Sequence, residues 1–191
     1  GAQVVRGARE IEQAADREQR IVRRNPGHVG ARGHVPLLPL ASAPQLLHLI
    51  DLESWRRDEF DPERSGAWIA MLLEAGEEVL QRFLRDADDD LLVLLFQKWA
   101  RVRQIEIDDT PDRAGHGETE AGTELGFLSP DGYHRFSPLI PEHGPAIRRL
   151  AEVFAATWPE RCRRVVWSAV SEPSAEVEEQ ALRWRQSRLE E

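Results

Sequence analysis

The 191 residues include one cysteine, Cys162, and one methionine, Met71. A single thiol excludes an intramolecular disulfide framework and a thiolate zinc site within this chain, and it fits a reducing cytoplasm. Lysine is almost missing too: of 25 basic residues only Lys98 is not arginine. A codon bias toward arginine explains that, and bidentate recognition of carboxylate or phosphate is the functional alternative. Long apolar runs are absent. The longest, Leu91 to Phe96, has six residues, against roughly 20 for a membrane-crossing helix. No membrane span is expected, and the N-terminus lacks a charged-then-apolar leader. Positive charge is in deficit, with 34 acids giving a net charge of −9. Such a chain gains no global attraction to nucleic acid or to an anionic membrane surface.

The chain is 41% hydrophobic with 13 Gly and 12 Pro, enough apolar side chain for a core and too little Gly and Pro for a fibrous or disordered chain. Val4 to Arg24 carries Val4, Ala8, Ile11, Ala15 and Val22 at helical spacing and halts at Asn25-Pro26-Gly27. Residues 1–36 therefore read as an amphipathic helix and linker, and residues 37–191 as a helical domain. In that domain Ser42 is expected to cap a helix over Ala43 to Ile50, and Asp51 to Glu59 a second carrying Trp55. Asp61-Pro62-Glu63 supplies an N-cap carboxylate, a first-position proline and a first-turn acid. Trp68, Leu72 and Ala75 share a face of the helix that follows, and Gly76 stops or kinks it. Val79, Leu80, Phe83 and Leu84 mark the next. Asp88 can cap another, so densely apolar from Leu91 to Trp99 that it is expected to be the central element.

Arg103 to Ile107 alternates like a short strand, and Asp108 to Thr123 reads as a mobile acidic loop. Leu125 to Ser129 and Tyr133 to Ser137 flank Pro130-Asp131-Gly132, a hairpin signal. The loop and hairpin form an insertion at about 103–141. Ile147, Leu150, Ala151, Phe154 and Trp158 then make one helical stripe, Pro159 opens a helix through Val170, and Pro173 opens the last, with Val177, Ala181 and Trp184 on one face. The fold class is mainly α: an irregular multi-helix bundle or short helical-repeat array with one small β-hairpin insertion. The repeat alternative rests on Leu46 to Ile50 resembling Leu91 to Leu95, and on Trp55 preceding Trp99 by 44 residues.

Asp86, Asp88, Asp89 and Asp90 could hold a hard cation, but a helix N-terminus explains acids there through capping and the macrodipole. His116, His134 and His143, with Asp112, Glu118 and Asp131, lack the tight pair spacing of a metal site. Glu74, Glu77 and Glu78 lie at a helix junction and are expected to face solvent. Cys162 sits among Arg161, Arg163 and Arg164 with no histidine after it, so it reads as packed rather than reactive. No catalytic, cofactor-binding or metal residue is assigned. Arg148, Arg149, Arg161, Arg163 and Arg164 form a basic patch suited to an acidic partner segment or to the chain's own acids, and too small for nucleic acid. Core packing is the default for the six tryptophans, and one on an outer face would mark a partner-binding hot spot.

Asp51-Leu52-x-x-Trp55, Asp61-Pro62-Glu63-Arg64, Leu72 to Glu78, Arg82-Phe83-Leu84 and Ala181 to Leu189 resemble a family of uncharacterised bacterial proteins, over roughly Leu40 to Leu189. The resemblance implies a domain of unknown function whose members tend to be longer than this chain, and it brings no activity or catalytic residue. More loosely, the leucine-rich short helices are similar to the helical-repeat cytoplasmic domains of bacterial magnesium transporters and flagellar motor switch proteins.

Two functions fit these readings. One is a non-catalytic cytoplasmic interaction or scaffold module with a protein partner, association of like copies being open. The other is an enzyme or small-ligand domain whose site lies between the Leu91 helix and the hairpin insertion.

Overall fold

The computed structural model describes residues 37–105 and 126–190. The expected helix at Val4 to Arg24, the linker up to residue 36 and the acidic loop lie outside them, as do Glu106, Ile107 and Leu125. Within the described residues there are seven α-helices and five short strands, so the chain is mainly α with small β insertions.

Helix α1 (Ala43–Glu53) starts after Ser42, whose backbone N–H donates to the Gln45 side chain at 2.9 Å. It runs through Asp51, so the predicted second helix is not formed. Strands β1 (Trp55–Arg56) and β2 (Glu59–Phe60) make a tight hairpin there instead. Trp55 and Phe60 lie five residues apart, too far round a helix to share a face. The hairpin brings both inward, their rings edge to face at 5.2 Å. Its turn puts Arg57 at φ 60°, without the glycine or asparagine that announces such a turn.

Helix α2 (Pro62–Ala75) begins as its start signal predicts, with Asp61 accepting from the Glu63 and Arg64 amides at 3.1 Å. Gly76, at φ 119° and ψ 157°, separates it from α3 (Glu77–Asp86). Asp88 then caps α4 (Asp89–Trp99) by accepting from Leu91 N–H at 2.9 Å. All residues from Leu91 to Phe96 are buried, so α4 is the central helix that its apolar density predicted. The indole of Trp99 donates to the buried Ser65 hydroxyl at 2.9 Å, which satisfies both groups inside the core.

Strand β3 (Ala100–Gln104) follows directly and pairs antiparallel with β5 (His134–Pro138), which also pairs with β4 (Phe127–Leu128). The expected hairpin is present, widened to three strands in the order β3-β5-β4. Phe136 fixes the sheet to the bundle: it stacks on Phe127 at 5.0 Å and meets Phe96 of α4 edge to face at 5.5 Å. A 3-10 turn, Pro141–His143, then leads into α5 (Gly144–Thr157). A Cβ on Gly66 would lie 2.5 Å from the His143 ring, so this close approach requires glycine.

Helices α6 (Pro159–Ser171) and α7 (Ser174–Glu190) both pack on α4. Arg161 reaches Asp89 at the start of α4, and Gln97 near its end donates to the Glu172 carbonyl, so α6 runs parallel to α4. Glu178 pairs with Lys98 while Trp184 donates to Asp90, so α7 runs antiparallel. The two segments of the suggested repeat continue differently: Trp55 stands on a strand and Trp99 ends a helix.

Candidate functional site

The acidic cluster at the start of α4 is occupied by the chain's own donors. Asp89 accepts from Arg161 at 2.6 Å and Arg164 at 2.8 Å. Burial pushes its carboxyl up, but those two guanidinium groups outweigh it and hold it below the ordinary carboxylate value. Asp90 accepts from the Trp184 indole at 2.9 Å. Burial and the charges of Asp88, Glu172 and Asp89 raise its carboxyl despite that bond. Asp88 pairs with Arg188, and Asp86 with Arg85 at 2.8 Å. Capping and ion pairing therefore account for Asp86, Asp88 and Asp89, and the Trp184 indole serves Asp90.

Arg188 also holds both oxygens of Asp51, Nε to Oδ2 at 2.7 Å and Nη2 to Oδ1 at 2.8 Å. The Asp51 side chain is 0% exposed. Burial alone lowers the tendency of Arg188 to stay protonated, and the Asp51 and Asp88 carboxylates more than restore it. Arg185 donates to the Asp51 carbonyl at 2.9 Å and lies over the Trp55 ring. The buried residues of α7 are only Val177 and Ala181. Polar contacts at Glu178, Trp184, Arg185 and Arg188 thus do much of the docking.

The remaining candidates fall in separate places. His116, Asp112 and Glu118 lie outside the described residues. His143 covers Gly66. His134 is 4% exposed, and neither ring nitrogen has a hydrogen-bond partner among the described residues. Among the described residues no group of three or more His, Cys, Asp or Glu side chains is placed to hold a metal ion. Glu74, Glu77 and Glu78 are exposed, and Glu77 pairs with Arg149 at 2.6 Å. Arg148 pairs with Glu152 at 3.0 Å, and Arg163 with Glu160 at 3.0 Å. The five arginines singled out in the sequence therefore all have carboxylate partners within the chain.

One cleft, of about 170 Å³, opens where the β4–β5 turn meets α5 and α6. Its walls are Pro130 and Asp131 of the turn, Ala155 of α5, and Cys162, Arg163 and Val166 of α6. It borders the hairpin, and the Leu91 helix is not part of it. Phe136 packs straight onto Phe96 and fills the space on that side.

Asp131 is set by its turn: its Oδ1 accepts from the Ser129 hydroxyl at 2.6 Å and from Tyr133 N–H at 3.1 Å. Burial raises its carboxyl, and those bonds with the His134 and Arg163 charges bring it below the ordinary value. Its Oδ2 lies 3.9 Å from Arg163 Nε, too long for a hydrogen bond. Burial, helped by the Asp131 charge, pushes the Cys162 thiol up to about 12. The thiolate is thereby disfavoured, and the buried Cys162 forms part of the cleft wall. Its arginine neighbours point their charge at Asp89 and Glu160 instead.

The cleft continues into an exposed ridge. Trp167 and Val170 follow Arg163 and Val166 by four residues, one turn further along the same side of α6. They remain 53% and 39% exposed. Ala155 and Val166 were not recognised as a site in the sequence, since only the turn that meets α5 and α6 makes them one.

The sequence pattern of the family of unknown function DUF6178 matches residues 27–191. The chain belongs to DUF6178. The match bears out the resemblance to an uncharacterised family. No curated protein and no solved structure matches the chain. Nothing links this DUF6178 member to magnesium-transporter or motor-switch domains, whose likeness rested on short leucine-rich helices alone. No helix among the described residues is long and apolar enough to cross a membrane.

Proposed function

We propose that this chain is a non-catalytic protein-interaction module of the bacterial cytoplasm, and that its docking face is the cleft and ridge on α6. The observation that carries the reading is the exposed pair Trp167 and Val170 beside a small apolar-walled cleft. A half-exposed tryptophan next to a hollow is the usual make-up of an interface hot spot. The polar groups elsewhere support the same reading, because Arg148 and Arg149 of α5 pair with Glu152 and Glu77, and Arg161, Arg164 and Arg188 pair with Asp89 and Asp88 at the start of α4. The single packed thiol suits a reducing compartment.

A random-peptide display library panned against the chain tests this. Selected peptides should converge on one motif, and their binding should drop at least tenfold in Trp167→Ala with the melting temperature unchanged. No convergence, or binding indifferent to that substitution, refutes the reading.

A further inference from the structure

The cleft also states what it would take. Its mouth holds one carboxylate and one guanidinium close together, so an entering group meets an acceptor and a donor side by side. Asp131 Oδ2 has spare acceptor capacity, because the turn's own donors bind Oδ1. Arg163 Nε has a spare proton, because Nη1 serves Glu160 at 3.0 and 3.2 Å. Acceptor and donor face each other across 3.9 Å, a gap that an inserted polar group can bridge. A charged group entering there would meet one attractive and one repulsive partner. A neutral group that both donates and accepts satisfies the two at once.

Behind this mouth the walls are aliphatic, from Pro130, Ala155 and Val166, with the neutral Cys162 thiol. A volume of about 170 Å³ resembles that of a cavity able to hold one benzene-sized molecule. We infer that the cleft is an anchor site for a glutamine side chain of the partner polypeptide, its amide N–H₂ donating to Asp131 Oδ2 and its amide oxygen accepting from Arg163 Nε while its methylenes lie on Ala155 and Val166. The inference rests on the interaction-module reading and supplies the chemistry of its docking site.

The test is an NMR titration of the ¹⁵N-labelled chain with N-acetylglutamine methylamide, and with the glutamate and methionine analogues as near-isosteric controls. The glutamine compound should shift the Asp131, Tyr133 and Arg163 amides with a Kd of roughly 1–10 mM, as expected for a fragment of this size. The controls should bind about tenfold more weakly or worse, the factor that one hydrogen bond to a charged group is worth. Arg163→Met, whose side chain is half exposed, should fold normally and weaken glutamine binding about tenfold, with Asp131 still accepting from the amide N–H₂. Ala155→Leu should fill the hollow and weaken all three. Equal binding of methionine and glutamine overturns the amide anchor, as does tighter binding of glutamate or no shift at these amides. Ridge-dependent peptides without a glutamine would likewise overturn it while leaving the interaction module standing. Selective glutamine binding with no ridge-dependent peptides would support the anchor and count against the module.

Discussion

Replacing Arg188 with methionine removes the counter-ion from a fully buried acid while keeping much of the side chain's volume. Both oxygens of Asp51 are held by this one guanidinium. Breaking such a pair from one side costs about 3–5 kcal/mol, because a charge is left inside without a partner. Arg188 is itself 21% exposed, so water can follow into the gap. The lower end, about 3 kcal/mol, is therefore expected. For a domain of this size that corresponds to a fall in melting temperature of roughly 6–12 °C. Asp51→Asn should cost less, about 1–2 kcal/mol, since Arg188 keeps Asp88 as a partner. The double variant should be little worse than Arg188→Met alone, a coupling of about 1–2 kcal/mol. Urea titrations with an unchanged slope measure all three. A loss below about 1 kcal/mol for Arg188→Met, the value of a surface pair, would refute the claim that this contact holds α7 in place. Simple additivity would do the same.

Gly76→Ala should destabilise by about 1–3 kcal/mol in thermal melts, since φ 119° with ψ 157° is strained for any other residue although nothing lies within 4 Å of a new Cβ. Asp89 has its carboxyl held below the ordinary 3.8, so its contribution to stability is complete above that value and is lost as pH falls through the depressed one. Melting temperature against pH should accordingly show a shallower acid fall in Asp89→Asn than in the parent chain. Cys162, with its thiol near 12, should stay unreactive toward a thiol reagent at pH 8 until the chain unfolds, and rapid labelling of the native chain would show that the cleft wall opens.

Much of the helical fold was legible because the relevant signals are local. Asp61-Pro62-Glu63 and Asp88 cap the helices they were expected to cap, and Gly76 separates two others. The β1–β2 hairpin was not legible. Arg57 adopts its positive φ without a turn residue, and only the five-residue spacing of Trp55 and Phe60 argued against a helix. The strand read at Arg103 to Ile107 lies at Ala100–Gln104, and its pairing escaped for another reason: its partner β5 lies across the insertion, with Val102 opposite Phe136. The site depended on distance most of all. Asp89 meets Arg161 across 72 residues and Asp88 meets Arg188 across 100, separations at which charge pattern gives no register. The basic patch was visible in composition, but its partners inside the chain were not. The cleft likewise joins residues 130–131 to residues 155–166, so only folding brings its two halves together.

The most direct measurement is site-specific photo-crosslinking in an extract of the source cells. A benzophenone side chain is placed at position 170 on the ridge or at position 186, an exposed site on α7. The account predicts one discrete adduct from position 170, lost when Ala155→Leu fills the cleft, and none of that mass from position 186. Equal labelling from both positions, or an adduct that survives the filled cleft, would contradict it.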